Sequence, residues 1–183
     1  MCPPPSSREL IVDAAEAVVI EVGAAHMTLE AVAAKAGVSK GGLLYHFPTK
    51  EELLKAMLNR HIQRLDEARK KKCAELQDDP TREIKAYVLS SLARDRKAER
   101  ISIALLAAVA HDPKLLEPVR DEYQKYLDKF TSSGLRFERA AVIALAADGL
   151  RLLEILSLSP LKDNQRKHVI EEMLRLAKDK EEF

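Results

Sequence analysis

The twenty residues from Thr28 to Phe47, TLEAVAAKAGVSKGGLLYHF, constrain the fold of this chain more than any other stretch. Thr28 can cap a short helix whose buried face is Val32, Ala33 and Ala36. Gly37 follows where that helix must end, at a position that favours a residue free to take positive φ. Val38 then packs back toward the core and Ser39 caps a second short helix. Two short helices joined by a tight glycine turn let the second of them enter the major groove of a DNA duplex.

On a helical wheel Leu43 and Phe47 point inward together, whereas Gly41 and Tyr45 face the opposite side. Paired glycines cost a helix roughly 1 kcal/mol each relative to alanine. Such a cost fits a backbone that must come close to something, such as a phosphate or a base edge. Lys40, in the first turn, can reach a guanine edge or a phosphate. Thr28, Tyr45, His46 and Lys50 offer donors that fix register on phosphates, helped by amides at helix starts. Alanine-rich helix pairs with a glycine turn are common, so the pattern by itself also fits a helical pair with no role on DNA.

The longer run from Thr28 to Leu53 resembles the signature of the TetR family of bacterial repressors. The likeness includes the Ala36-Gly37-Val38-Ser39 turn, the Tyr45-His46-Phe47 exit and the Lys50-Glu51-Glu52-Leu53 start of the next helix. The resemblance implies that Thr28, Ser39, Lys40, Gly41, Gly42, Tyr45, His46 and Lys50 contact double-stranded operator DNA. It also implies a homodimer on an inverted repeat, and release by an unknown small-molecule ligand. The chain departs from the family at Gly42, where threonine or alanine is common, and at Leu44, where tyrosine is common.

Every long segment reads as helix and none as strand, so the expected fold is all-α with about nine helices. They are expected near 7–22, 28–35, 39–46, 50–76, 80–97, 100–110, 113–130, 137–157 and 161–178. Ser6-x-x-Glu9 and Thr49-x-x-Glu52 fit the capping box. Asp79-Pro80, Asp112-Pro113 and Ser159-Pro160 each set a cap residue before a proline at the first helical position. In the first helix Leu10, Ile11, Ala14, Ala15, Val18 and Val22 form the apolar stripe. The organisation is then an N-terminal three-helix helix-turn-helix domain, 6–50, and a C-terminal helical ligand-binding and dimerisation domain, 51–183. The boundary falls inside the fourth helix, near residue 50, where no flexible linker occurs, so a continuous helix can carry a movement from one domain to the other.

Charge does not announce a nucleic-acid protein. The formal net charge is +1, and the first sixty residues hold six Lys/Arg against seven Asp/Glu. Any DNA site must be a local placement of cations, not a bulk field. Four Phe, four Tyr and no Trp are too few for a protein that stacks single-stranded bases. The longest apolar run, near Ile103–Ala110, is far short of the ~20 residues of a membrane span. Residues 1–7 lack the basic and apolar regions of a secretory signal. Cys2 and Cys73 are too few and too isolated for a disulfide framework or a zinc site. A cytoplasmic protein without cofactor, metal site or membrane partner is expected.

In the C-terminal half, Ala140, Ala144 and Ala147 allow close backbone approach beside Leu150, and Val169, Ile170, Met173 and Leu174 line one stripe of the last helix. Two such helices from each of two chains would form a four-helix bundle; alternatively the stripes close the core of a single chain. By the resemblance, helices within 50–130 enclose a ligand pocket, with His61, Ser102, His111, Asp148 and Arg151 as candidate polar points. Asp148 and Arg151, three apart, can also pair with each other. The order His61, His111-Asp112, Asp148 is the best enzyme-like pattern, that of a metal phosphohydrolase. Asp112, however, precedes Pro113 and reads as a helix cap, and no further ligands stand at helical spacing. No catalytic residue is assigned.

Overall fold

The computed structural model describes residues 6–132 and 134–178, without the side chain of His111. The described residues form nine α-helices and one 3-10 turn, with no strand: α1 Ser7–Val22, α2 Leu29–Ala36, α3 Lys40–His46, α4 Lys50–Glu75, α5 Arg82–Ser91, α6 Arg96–His111, the 3-10 turn Pro113–Leu116, α7 Glu117–Ser132, α8 Phe137–Ile155 and α9 Asp163–Leu176. The expected all-α class with an N-terminal helix-turn-helix is what the chain adopts.

Helix starts follow the capping chemistry closely in the first half. Ser6 forms the full capping box with Glu9, and the Thr49 hydroxyl accepts the Glu52 amide at 3.1 Å. The three X-Pro starts behave differently. At Asp79-Pro80 a turn intervenes and α5 begins only at Arg82. The Asp79 carboxylate accepts the Thr81 amide at 2.8 Å and its hydroxyl at 2.7 Å, closing an Asx turn in place of a helix cap. At Asp112-Pro113 the carboxylate accepts the Lys114 amide at 3.1 Å and starts the 3-10 turn. At Ser159-Pro160 the helix waits until Asp163. The expected helix 80–97 also stops early: α5 ends at Ser91 and α6 starts at Arg96.

The chain packs as two compact units, each with its own contacts. The first comprises the residues through Ile62 together with Arg96–Leu116, so α6 packs with the N-terminal helices. The second comprises Gln63–Asp95 and the residues from Glu117 onward. The packing boundary therefore lies inside α4, after Ile62, whereas the boundary drawn from the sequence lies at residue 50. Helix periodicity cannot show that α6, distant in sequence, returns to the N-terminal helices.

In the first unit the α1 stripe is rotated from the expected one. Val12 and Val19 are buried, while Leu10 and Val22 are exposed. Glu16 is buried too, only 1% exposed, because Arg60 of α4 meets it: Nε donates to Glu16 at 2.8 Å and Nη1 donates to Asp13 at 2.7 Å. A buried carboxylate tolerates that position only with such a partner. In the second unit Ile84, Tyr87, Phe130, Ala140, Ile143 and Ala147 lie in one buried apolar cluster.

Lys85 is 4% exposed and pairs with Asp79. Burial works to raise the Asp79 carboxyl, but the hydrogen bonds from Lys85 and Thr81 outweigh it and lower it from 3.8 to about 2. A carboxyl depressed by folding stabilises above its unfolded value, and that contribution disappears as pH falls through the folded one. Asp79→Asn should therefore lower stability near neutral pH by about 1–3 kcal/mol. The gap to the parent should close between about pH 3.8 and about pH 2. Urea titrations across that window check it, and a gap unchanged at the acid end would contradict the assignment.

Candidate nucleic-acid interface and ligand-pocket residues

The turn between α2 and α3 sets the geometry of the interface. The Thr28 hydroxyl caps α2 by accepting the Ala31 amide at 3.1 Å. At the other end Gly37 is left-handed, φ 68° and ψ 26°. Its amide donates to Ala34 at 3.3 Å, and the Val38 amide reaches back to Ala33 at 3.1 Å. This paired closure satisfies the carbonyls at the end of α2 and re-aims the chain within two residues. Ser39 then caps α3, its hydroxyl accepting the Gly42 amide at 3.0 Å.

Two side chains pin α3. Leu43 is fully buried and Phe47 is 2% exposed, with the Arg8 guanidinium 4.9 Å from the Phe47 ring centroid. The opposite side faces out. Gly41 is exposed, and Tyr45 is 85% exposed, its ring edge-on to His46 at 5.2 Å between centroids. A Cβ built on Gly41 meets nothing within 4 Å, and one on Gly42 meets only the Ser39 hydroxyl, at 3.3 Å. The chain's own packing thus gives no reason for glycine at position 41.

The cations are individually held. Lys40 Nζ lies 2.7 Å from Glu30 of α2, both side chains 61% exposed. The Lys40 hydrogen bond leads in holding the Glu30 carboxyl below its ordinary value, followed by its backbone hydrogen bond and the charge of Lys40. Lys35 pairs with Glu21, and Lys50 Nζ donates to the Ala25 carbonyl at 3.0 Å. Ion pairs this exposed are weak in water, so a phosphate can replace the carboxylate. Sequence periodicity did not reveal Glu30 and Glu21, since cross-helix pairing leaves no pattern along one helix. The structure thus puts Ser39, Lys40, Gly41, Gly42, Tyr45 and His46 on or beside α3, Thr28 at the head of α2 and Lys50 at the head of α4.

The residues expected from sequence at a dimer interface lie in or against the chain's own core. Ala140 and Ala147 are fully buried in the chain's own core, and Ala144, Leu150 and Met173 are buried in the same cluster. Val169, Ile170 and Leu174 are partly buried and pack against that cluster. The buried alanines have little surface of their own, whereas Val169, Ile170 and Leu174 keep part of theirs. In addition, α8 and its C-cap Leu156 carry a second apolar face: Val142, Leu145, Leu152, Leu153 and Leu156 are all exposed, Leu145 to 71%. At 100° per residue these five fall within one sector, away from that of Ala140, Ile143, Ala147 and Leu150.

The pocket candidates divide between the two units. His61 and Ser102, both buried in the first unit, meet at 3.0 Å between Nε2 and Oγ. The Ser102 Oγ also lies 2.9 Å from the Ala98 carbonyl oxygen, one turn back on α6. Asp148 and Arg151 belong to the second unit. Asp148 accepts the Tyr87 hydroxyl at 2.7 Å, and Arg151 donates to the Ser91 carbonyl at 3.0 Å. The His111 side chain lies outside the described residues.

Comparison with known proteins covers both halves. A model described as bacterial regulatory proteins, tetR family, matches residues 11–57, and one described as tetracyclin repressor-like, C-terminal domain, matches residues 81–178. The HTH-type transcriptional regulator BetI of Proteus mirabilis (strain HI4320) is 31% identical over 95% of this chain and 94% of its own. BetI of Stenotrophomonas maltophilia (strain R551-3) is 29% identical over 80% of this chain and 76% of its own. Among solved structures, the multidrug binding protein EbrR complexed with malachite green superposes with a TM-score of 0.72 at 26% identity, over 94% of this chain and 98% of that one. A TetR-family member from Streptomyces coelicolor A3 gives a TM-score of 0.74 at 25% identity, with the same coverage.

Because no atom of the chain crowds position 41, Gly41→Ala should raise stability by about 0.5–1 kcal/mol through helix propensity. Denaturant titration checks this, and a destabilised variant would show that the fold itself needs the glycine.

Proposed function

This chain belongs to the TetR family of bacterial regulatory proteins, and we propose that it is a repressor that binds an inverted-repeat operator as a homodimer and leaves it when a small molecule binds. The observation that carries this reading is the outward face of α3: glycine where the fold needs none, beside Lys40 and an 85% exposed tyrosine. Residues 6–50 form the DNA-binding domain in this reading, and residues 51–183 bind the ligand and pair the chains.

Each contact has a chemical role. Lys40 leaves Glu30 for a guanine edge or a phosphate, and Gly41 and Gly42 let the helix backbone approach the groove. Thr28, Ser39, Tyr45, His46 and Lys50 hold phosphates and so fix register. The exposed leucine face of α8 supplies the pairing surface, since an apolar stripe of this kind is buried when a partner is available. Two-fold pairing spaces the recognition helices by about one DNA turn (~34 Å), which calls for an inverted repeat. The similarity to EbrR, whose structures hold malachite green and ethidium, supports a small-molecule ligand. A ligand preferring a dimer with badly spaced recognition helices shifts the population away from DNA. The unbroken α4, which runs from the first unit into the second, is a continuous element that can transmit the change. No helix among the described residues is long and apolar enough to cross a membrane, and the reading places the protein with the chromosome in the cytoplasm.

Two substitutions test the reading. Lys40→Ala should cost about 1–3 kcal/mol in operator binding, relaxing discrimination between the selected site and random duplex, with helicity and dimer intact. Equal weakening on every duplex, with a smaller salt slope, would make Lys40 a phosphate contact only. Leu145→Glu, on the exposed face, should give a folded monomer in sedimentation; an unaltered dimer would move the pairing surface elsewhere.

A further inference from the structure

The first unit holds a cleft that the outward side of α3 does not use. It is lined by the loop after α1, the first turns of α4, and the end of α6 with the 3-10 turn that follows; its volume is about 470 Å³. That is the size of a site for a small organic molecule. Side-chain size explains the space. Ala24, Ala25 and Ala108 contribute only a methyl group each, and the buried Leu54 and Leu115 do not fill what they leave. None of the lining residues belongs to the second unit, where Tyr87, Asp148 and Arg151 stand.

Three charged side chains line the cleft, and among the described residues only one of them has a partner of opposite charge. Glu51 pairs with Lys55, one turn along α4, at 2.8 Å. Lys50 Nζ donates to the Ala25 carbonyl at 3.0 Å, and a neutral carbonyl leaves the ammonium charge uncancelled. Asp112 accepts the Lys114 amide at 3.1 Å, and no ammonium or guanidinium of the described residues meets its carboxylate. Lys50 and Asp112 reach the cleft from different elements, the head of α4 and the end of α6, and form no ion pair with each other. A molecule of one charge would answer one of these groups and bring a like charge to the other. A molecule with a carboxylate at one end and an ammonium at the other answers both, and an apolar body between them meets the alanines and leucines.

We propose that this cleft binds a small zwitterion, a carboxylate and an ammonium joined by an apolar chain, with the carboxylate on Lys50 and the ammonium on Asp112. Both contacts are charge-assisted hydrogen bonds, stronger than the carbonyl and amide contacts that the two side chains make now. The site stands on its own geometry. Its consequence for DNA rests on the reading above: Lys50 is among the side chains assigned to phosphates, so a bound carboxylate competes with the duplex for it.

The probe is 8-aminooctanoate, whose flexible chain adapts to the separation of the two groups; octanoate and octylamine each lack one of its charges. Protein labelled on alanine methyl groups is titrated with each compound. The zwitterion should shift Ala24, Ala25 and Ala108 and leave Ala140 and Ala147 in place, and should bind about tenfold or more tightly than either control. Lys50→Met should erase the preference over octylamine. Asp112→Asn, which keeps an acceptor for the Lys114 amide, should erase the preference over octanoate. A zwitterion bound no more tightly than a control, shifts confined to Ala140 and Ala147, or undiminished preferences in both folded variants would overturn the proposal. The comparison of compounds on the parent protein decides even if a variant fails to fold. Gel shifts score the consequence separately: unchanged operator affinity with the cleft saturated leaves the site standing and overturns the assignment of Lys50 to a phosphate.

Discussion

A left-handed glycine and two buried side chains hold α3 with one side turned to solvent, and the remaining features of the helix-turn-helix surface follow from that orientation. Gly37 ends α2 with two backward hydrogen bonds, and Ser39 begins α3 only two residues later. Leu43 and Phe47 then lock the rotation of a seven-residue helix, too short to hold its own orientation in water. With the inward side fixed, Gly41 and Tyr45 can only point out. The chain's regulatory family is consistent with this: sequence recognition in a major groove needs a rigid helix whose outer side comes close to the bases.

Electrostatics at this surface are restrained. Lys35 and Lys40 each meet a glutamate, and Lys50 donates to a loop carbonyl. A surface so arranged has little pull on an arbitrary duplex, because each cation has a local alternative. In the proposed function it would bind where base edges and phosphates together offer more than those partners do. On that proposal the near-neutral charge of the N-terminal helices serves discrimination between duplexes.

Local chemistry was legible in the sequence and long-range partnership was not. Thr28, Gly37, Ser39, Leu43 and Phe47 could each be placed from capping, turn chemistry and helical period, because every partner lies within a few residues. The X-Pro helix starts were misjudged: Asp79, Asp112 and Ser159 can close a turn as readily as cap a helix, and nearby backbone geometry selects the turn. Glu16 and Arg60 are forty-four positions apart and Tyr87 and Asp148 sixty-one, so no pattern along the chain joins them. α8 is ambiguous for another reason. It is apolar on two sides, and its small residues suit close packing within one chain as well as between two; burial alone separates Ala140 and Ala147, inside, from Leu145, outside.

The central claim is that the glycine-bearing side of α3 lies against DNA. Labelling glycine amides gives six signals, from Gly23, Gly37, Gly41, Gly42, Gly134 and Gly149, and a duplex selected from random sequence can be titrated into the labelled protein. The account predicts that Gly41 and Gly42 move most, and that methylation of guanine N7, which blocks the major-groove edge, abolishes those shifts. Tight, sequence-selective binding that leaves the Gly41 and Gly42 amides unmoved would contradict it.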